Sequence, residues 1–331
     1  MTSIGVGVVG AGPWGVNVAR AFARARGARL VGVADLDGER LARARAAHEG
    51  VVLANELEGL LEVPGLDAVA VAVDSPHHHA VAKRALLAGR HVLVEKPMAL
   101  SLADGRDLAE LAERSGLVLM VGHVLLHHPG LARARTLVAE GELGRVLYLH
   151  ATRVGFGTVR PSESAWWSIA PHDIAAALFL FDAVPSMVSA TGAGYLQVRQ
   201  HDVAFATLTF ADGRVAHVHV SWLAPEKRRA LTVVGSHKML TFDETAEQPL
   251  RVHDRAFVPA AARAGFIGRA GEIVAPALPT VEPLLAECEH FAERVRLGAL
   301  APGDGARSLG VMRVLDAGER SMRAGGAPAE V

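Results

Sequence analysis

The 331-residue chain has a single cysteine, Cys288, which excludes an intramolecular disulfide and a cysteine cage for a metal and fits a reducing compartment. It has no uninterrupted apolar run near the ~20 residues that a membrane helix needs. Its start, Met1-Thr2-Ser3, leads into a strand pattern without a basic stretch or a small-residue cleavage site. Charge of one sign is also missing: 34 basic residues face 35 acidic ones, for a formal net charge of -1, and no basic block is present to neutralise a row of phosphates. The expectation is a cytoplasmic protein with neither membrane nor nucleic acid as a partner.

What the chain does have is apolar material. At 50% hydrophobic residues and a length beyond a usual single core, two domains are expected, with boundaries at 1–123 and 124–331. From residue 4 to about 122, short apolar runs alternate with helical stretches. The runs are Ile4 to Val9, Leu30 to Ala34, Ala68 to Val73, His91 to Val94 and Val118 to Val121; the helices are Val16 to Arg26, Leu41 to His48 and Leu102 to Ser115, the last opened by a Ser101/Asp104 capping pair. This pattern predicts a doubly wound parallel α/β sheet. Past Gly144 the strands lengthen and alternate: Arg145 to Arg153, Val203 to Phe210, Arg214 to Leu223 and Ala230 to Val234. Ala216, Val218, Val220 and Trp222 form an apolar face opposite His217, His219 and Ser221, and Ala211-Asp212-Gly213-Arg214 marks a hairpin. An α+β domain with a large, mostly antiparallel open sheet is expected, and such a sheet is a common surface for a homo-dimer or homo-tetramer. Arg255 to Pro279, rich in Ala, Gly and Pro, reads as a loop, and two helices, about Val281 to Leu297 and Asp304 to Arg323, close the chain.

Gly10-Ala11-Gly12-Pro13-Trp14-Gly15 follows a strand and opens a helix. The first glycine permits the turn, the second lets a pyrophosphate approach the backbone, and the third lets helix and strand pack closely; helix N–H groups then face the phosphates. Asp35 ends the second strand, where a carboxylate accepts from ribose hydroxyls and, with Asp37, repels a 2′-phosphate; NAD is therefore expected over NADP. At the end of the run Ala68 to Val73, Ser75 and Pro76 are placed to meet the nicotinamide half, with His79 starting the next helix. The triplet His77-His78-His79 is not read as a metal site, because adjacent side chains cannot all aim at one ion.

His91 to Val94 delivers Glu95 and Lys96, and Pro97 stops the strand. Lys96 reads either as half of a structural ion pair with Glu95 or as a fixed cation beside a reacting hydroxyl, where it stabilises alkoxide character. Oxidation of an alcohol also needs a proton acceptor. His172, in Trp166-Trp167-Ser168-Ile169-Ala170-Pro171-His172-Asp173, is the candidate, placed just before an apolar helix; a plain helix cap is the other reading. His123, beyond the last strand of the first domain, is a further cofactor candidate. Trp167 is a stacking candidate, and Arg153 and Arg160 are candidates for holding a substrate phosphate or carboxylate.

On the glycine fingerprint, Glu95-Lys96-Pro97 and a second-domain histidine, the chain resembles the Gfo/Idh/MocA oxidoreductases over nearly its whole length. The resemblance implies a Rossmann-like first domain, Lys96 and His172 as catalytic pair, substrate contacts from Trp167 and Asp173, a sugar substrate between the domains, oligomers built through the open sheets and closing helices that return to the first domain. Many members carry an aspartate four residues before the histidine, where this chain has Ser168. Trp167 to Asp173, Gly122 to Pro129 and Ser221 to Pro225 are similar to the branch that oxidises C3 of UDP-linked N-acetylglucosamine sugars. The function implied is oxidation of such a sugar or its uronate; a free sugar or inositol dehydrogenase and a non-catalytic NAD sensor are the alternatives.

Overall fold

A computed structural model describes residues 3–157, 159–197, 200–260, 265–299 and 304–331. The chain forms two compact units, Met1–His127 with Val281–Met312, and His128–Thr280 with Arg313–Val331. The first runs β1 (Ile4–Val9), α1 (Gly15–Arg24), β2 (Ala28–Ala34), α2 (Gly38–Ala47), β3 (Val52–Ala54), α3 (Leu57–Leu61), β4 (Ala68–Val71), α4 (His78–Leu87), β5 (His91–Glu95), α5 (Leu102–Arg114) and β6 (Leu119–Gly122). Its sheet is parallel throughout, in the order β3-β2-β1-β4-β5-β6. Every residue of β1, β4 and β6 is buried, which is why these strands read as unbroken apolar runs.

The expected Ser101 cap forms, and α2 has a cap that the sequence reading did not name. Ser101 accepts the Asp104 N–H at the start of α5, and Asp37 accepts from Glu39 and Arg40 at the start of α2. Two short elements, β3 and α3, escape the sequence pattern because three and five residues are too few to show a period.

The second unit contains α6 (Pro129–Ala139), β7 (Val146–Phe156), α7 (Ala165–Phe181), β8 (Met187–Ala193), β9 (Val203–Thr209), β10 (Val215–Ser221), β11 (Leu223–Gly235), β12 (Met239–Asp243), β13 (Leu250–Pro259) and β14 (Phe266–Val274). The chain closes with α8 (Pro283–Leu297), α9 (Asp304–Arg323) and β15 (Ala329–Glu330). The strand order is β14-β13-β12-β11-β7-β10-β9-β8-β15, antiparallel apart from the β7/β10 pair. The hairpin between β9 and β10 turns where the sequence places it, with Gly213 at φ 85. Ala216, Val218, Val220 and Trp222 are buried, and α7 packs on this part of the sheet. On the other face His150 stacks on His217 at 5.5 Å and Phe205 on His219 at 4.4 Å.

Arg255 to Pro279 is not a loop: its described residues include the end of β13 and all of β14, a hairpin at the sheet edge. Its Ala, Gly and Pro content hides the strand formers Phe257, Val258, Phe266, Ile267, Ile273 and Val274; residues 261–264, also within that reading, lie outside the described residues.

The closing helix α8 belongs to the first unit. Phe291 meets Phe22 of α1 edge to face at 6.1 Å, and Glu282 takes Arg20 and Arg24 while Glu289 takes Arg26. In the second unit, fully buried Trp166 donates its indole N–H to the Leu315 carbonyl at 2.9 Å, and Gly318 leaves room for its ring: a Cβ there would lie 2.4 Å from it. Trp166→Ala is expected to cost about 3–5 kcal/mol in urea unfolding of the second unit, as cavity and lost hydrogen bond combine.

Candidate active site

The polar groups of the first unit collect past the carboxyl ends of its buried strands. Gly10 sits at φ 98, and a Cβ at Gly15 would stand 1.8 Å from the Gly10 carbonyl oxygen, so both positions accept only glycine. A Cβ at Gly12, by contrast, would meet nothing nearer than Arg40 at 3.7 Å. The chain's own packing does not demand that glycine, and the missing side chain leaves the backbone there open to approach. No side chain caps α1, and its start follows the glycine turn directly, so the N–H groups there suit an anion. Asp35 accepts the Ala11 N–H at 2.6 Å and the Asp37 N–H at 2.9 Å, fixing the β2 tip to the glycine loop. This arrangement fits a dinucleotide.

Buried Ser75 and exposed Pro76 lie in a short 3-10 turn after β4. His79, the second residue of α4, has its Nε2 2.7 Å from Asp107 of α5, which also takes Lys83. The histidine that works at the edge is His78, which the sequence reading passed over. It is buried, with Nδ1 2.7 Å from the Pro97 carbonyl and Nε2 3.0 Å from the Val73 carbonyl, and so ties the β4 loop to the turn after Lys96.

Glu95 is buried and accepts from the Trp14 indole and the Lys96 backbone N–H. Burial pushes its carboxyl up, and those two donors and the Lys96 charge pull it back. Pro13 and Trp14 of the glycine loop are thus linked to the strand tip that presents half-buried Lys96. The Glu95 carboxyl also fills the space over Gly122, where a Cβ would sit 3.0 Å from it, with His123 buried next along the chain.

In the second unit α7 begins at Ala165, capped by Ser164, so His172 is inside the helix and not ahead of it. Pro171 misled the boundary; it is tolerated within the helix although it offers no N–H to the Trp167 carbonyl. His172 and Trp167 are half-buried. Ser168, one turn before His172, donates to Glu163 at 3.1 Å, and Arg160 reaches the same carboxylate oxygen at 2.8 Å. A carboxylate therefore stands beside Ser168, supplied by a residue that the sequence reading did not consider.

Residues 4–123 match the family model described as "Oxidoreductase family, NAD-binding Rossmann fold", and residues 131–241 match the GFO/IDH/MocA C-terminal domain. The chain belongs to the Gfo/Idh/MocA oxidoreductases. An uncharacterized oxidoreductase of Streptococcus pneumoniae serotype 4 is 30% identical over 63% of this chain, and the match spans 60% of that relative's length. UDP-N-acetylglucosamine 3-dehydrogenase of Acidithiobacillus ferrooxidans is 29% identical over 73% of this chain and 75% of its own; its solved structure superposes at TM-score 0.79, 25% identity, over 98% and 99% of the two chains. A levoglucosan dehydrogenase solved with NADH and L-sorbose shares the fold at TM-score 0.85 and 22% identity, covering 100% of this chain and 99% of that one.

In this Gfo/Idh/MocA chain, the expectation that Arg153 and Asp173 touch substrate is corrected. The Arg153 guanidinium lies 2.9 Å from Asp173 and 2.5 Å from Glu244, with its side chain 8% exposed. Although burial works against its charge, Asp173 and Glu244 hold it protonated more firmly than usual, while burial pushes the Asp173 carboxyl up against the pull of Arg153. Both side chains are committed to fastening α7 to β7 and to the turn after β12. Arg153→Met leaves buried Asp173 without its cation and half-buried Glu244 with Arg229 alone, and urea unfolding is expected to show a loss of about 3–5 kcal/mol.

Proposed function

We propose that this protein oxidises a secondary hydroxyl of a sugar with NAD, and that the sugar is a UDP-linked N-acetylhexosamine or its uronate, oxidised at C3. The observation that carries the oxidation is the strand tip: Glu95 joins the glycine loop, through Trp14, to the backbone of Lys96, so the cofactor loop and the cation are set by one side chain. When bound, NAD accepts the hydride. Lys96 then stabilises negative charge growing on the substrate oxygen, and His172 takes the hydroxyl proton.

The finer substrate reading is supported by the Trp167 to Asp173 stretch and by the relative named UDP-N-acetylglucosamine 3-dehydrogenase. One observation favours a second reading, a free sugar. Arg153 is locked to Asp173 and Glu244, and Arg160 to Glu163, so the two arginines that a diphosphate would attract already have carboxylate partners.

A panel of UDP-N-acetylglucosamine, its uronate, free hexoses and inositol, followed by NADH formation, separates these readings. Turnover of the UDP-sugars alone supports the first; turnover of free sugars alone replaces it. NAD binding by calorimetry with no turnover on the whole panel would reduce the protein to a sensor. Lys96→Ala and His172→Ala are each expected to lower turnover by roughly two to four orders of magnitude with NAD affinity retained, and unchanged rates would remove the assigned roles.

A further inference from the structure

A histidine that takes a proton from a hydroxyl must present a lone pair to it, so which ring nitrogen carries the N–H has to be set. The carboxylate next to His172 in sequence does not set it. Asp173 lies about 100° further round α7 and is held by Arg153 at 2.9 Å. Asp182, at the far end of the helix, is taken by Arg135, and Asp202 accepts the backbone N–H groups of Tyr195 and Leu196. The buried residues of β9 and β10, on which α7 packs, are apolar along Ala204, Ala206 and Leu208 and along Ala216, Val218 and Val220.

Glu163 reaches α7 from the segment before it. Its side chain is 1% exposed, and its Oε1 accepts from Ser168 at 3.1 Å and from Arg160 at 2.8 Å. Oε2 is buried with no hydrogen-bond partner among the described residues. A carboxylate buried with one oxygen unanswered costs stability, so holding the fold together does not account for it. The segment is firmly placed by other groups: Gln197 and Gln200 donate to the Arg160 and Pro161 carbonyls, and the Ala165 N–H donates to the His201 carbonyl. Ser168 and His172 are four residues apart in a helix unbroken from Ala165 to Phe181. That spacing puts their side chains on one face, with Cβ atoms about 5–6 Å apart.

We propose that Glu163 is a positioning residue for His172 and acts on it through the Ser168 hydroxyl. Ser168 has one O–H, and it goes to Glu163, whose carboxylate only accepts. Toward the ring the Ser168 oxygen therefore accepts, and His172 presents an N–H to it. The lone pair that takes the substrate proton is then on the opposite nitrogen. When that proton arrives, the imidazolium keeps its hydrogen bond to Ser168, and the Glu163 carboxylate stands one hydroxyl away from the new charge. One proton moves, from the substrate oxygen to His172, and none passes along Ser168 or Glu163.

Two variants cut this link at different places. Ser168→Ala removes the hydroxyl and leaves Glu163 with Arg160, whereas Glu163→Met lets the hydroxyl turn its O–H toward His172 and select the wrong tautomer. With the sugar that the substrate panel identifies, each is expected to lower kcat roughly 10–100-fold, a share of the ~10²–10⁴-fold that a general base supplies, with KM little changed. Because both act through one hydrogen bond, the double variant should be no slower than the slower single one. Losses that multiply would overturn the proposal.

The role in turnover rests on the dehydrogenase reading, but the tautomer can be read without any sugar. Heteronuclear NMR of the imidazole nitrogens at alkaline pH, where the ring is uncharged, identifies His172 by the signals lost in His172→Gln. One tautomer is expected in the native protein and a mixture in Ser168→Ala. An unchanged tautomer in Ser168→Ala would overturn the proposal even in a protein that oxidises sugars; a changed one supports it even where the panel gives no turnover and the dehydrogenase reading fails. Should Glu163→Met not fold, Ser168→Ala alone decides, since it removes a single oxygen and keeps the carboxylate in place.

Discussion

A parallel sheet covered on both faces has no place for a polar side chain along its length, and the chemistry of the first unit depends on that constraint. β1, β4 and β6 are buried at every residue, and β5 from its second residue on. The polar groups therefore start where the strands stop. Asp35 follows the last residue of β2, Ser75 lies four residues past β4, Glu95 ends β5 with Lys96 next, and His123 follows β6. Because parallel strands all finish at the same edge, these residues gather without any one of them having to be carried far from its element.

That same constraint made this half of the protein legible in sequence. An unbroken apolar run ending in a charged or small residue marks both a strand and the location of its functional tip, and the glycine spacing identified which tip faces the phosphates. What escaped notice was set by distant partners. His78 sits beside two other histidines, and only the positions of the Val73 and Pro97 carbonyls distinguish it from His79, whose ring pairs with Asp107. Glu287 looks like one more polar residue on an amphipathic helix, and its complete burial depends on how α8 docks on the core of the first unit.

The second unit was read less well for related reasons. Half-buried antiparallel strands alternate, so β7, β9, β10 and β11 showed themselves, but β13 and β14 lie at the edge, where burial imposes no pattern, and all nine residues of β14 are exposed. Pro171 was a misleading stop signal because α7 is held by other means: Ser164 caps its start, and the Arg153 pair clamps its middle to the sheet. Arg153 illustrates a general difficulty. A strand arginine near a presumed site looks equally suited to a substrate anion and to an internal carboxylate, and only the positions of Asp173 and Glu244 decide.

In the second unit a buried carboxylate, Asp173, directly follows His172 in α7 and is neutralised by Arg153. The guanidinium keeps its charge at any pH the protein meets, so the clamp on α7 fails only from the acid side, when Asp173, whose carboxyl burial pushes up, takes a proton.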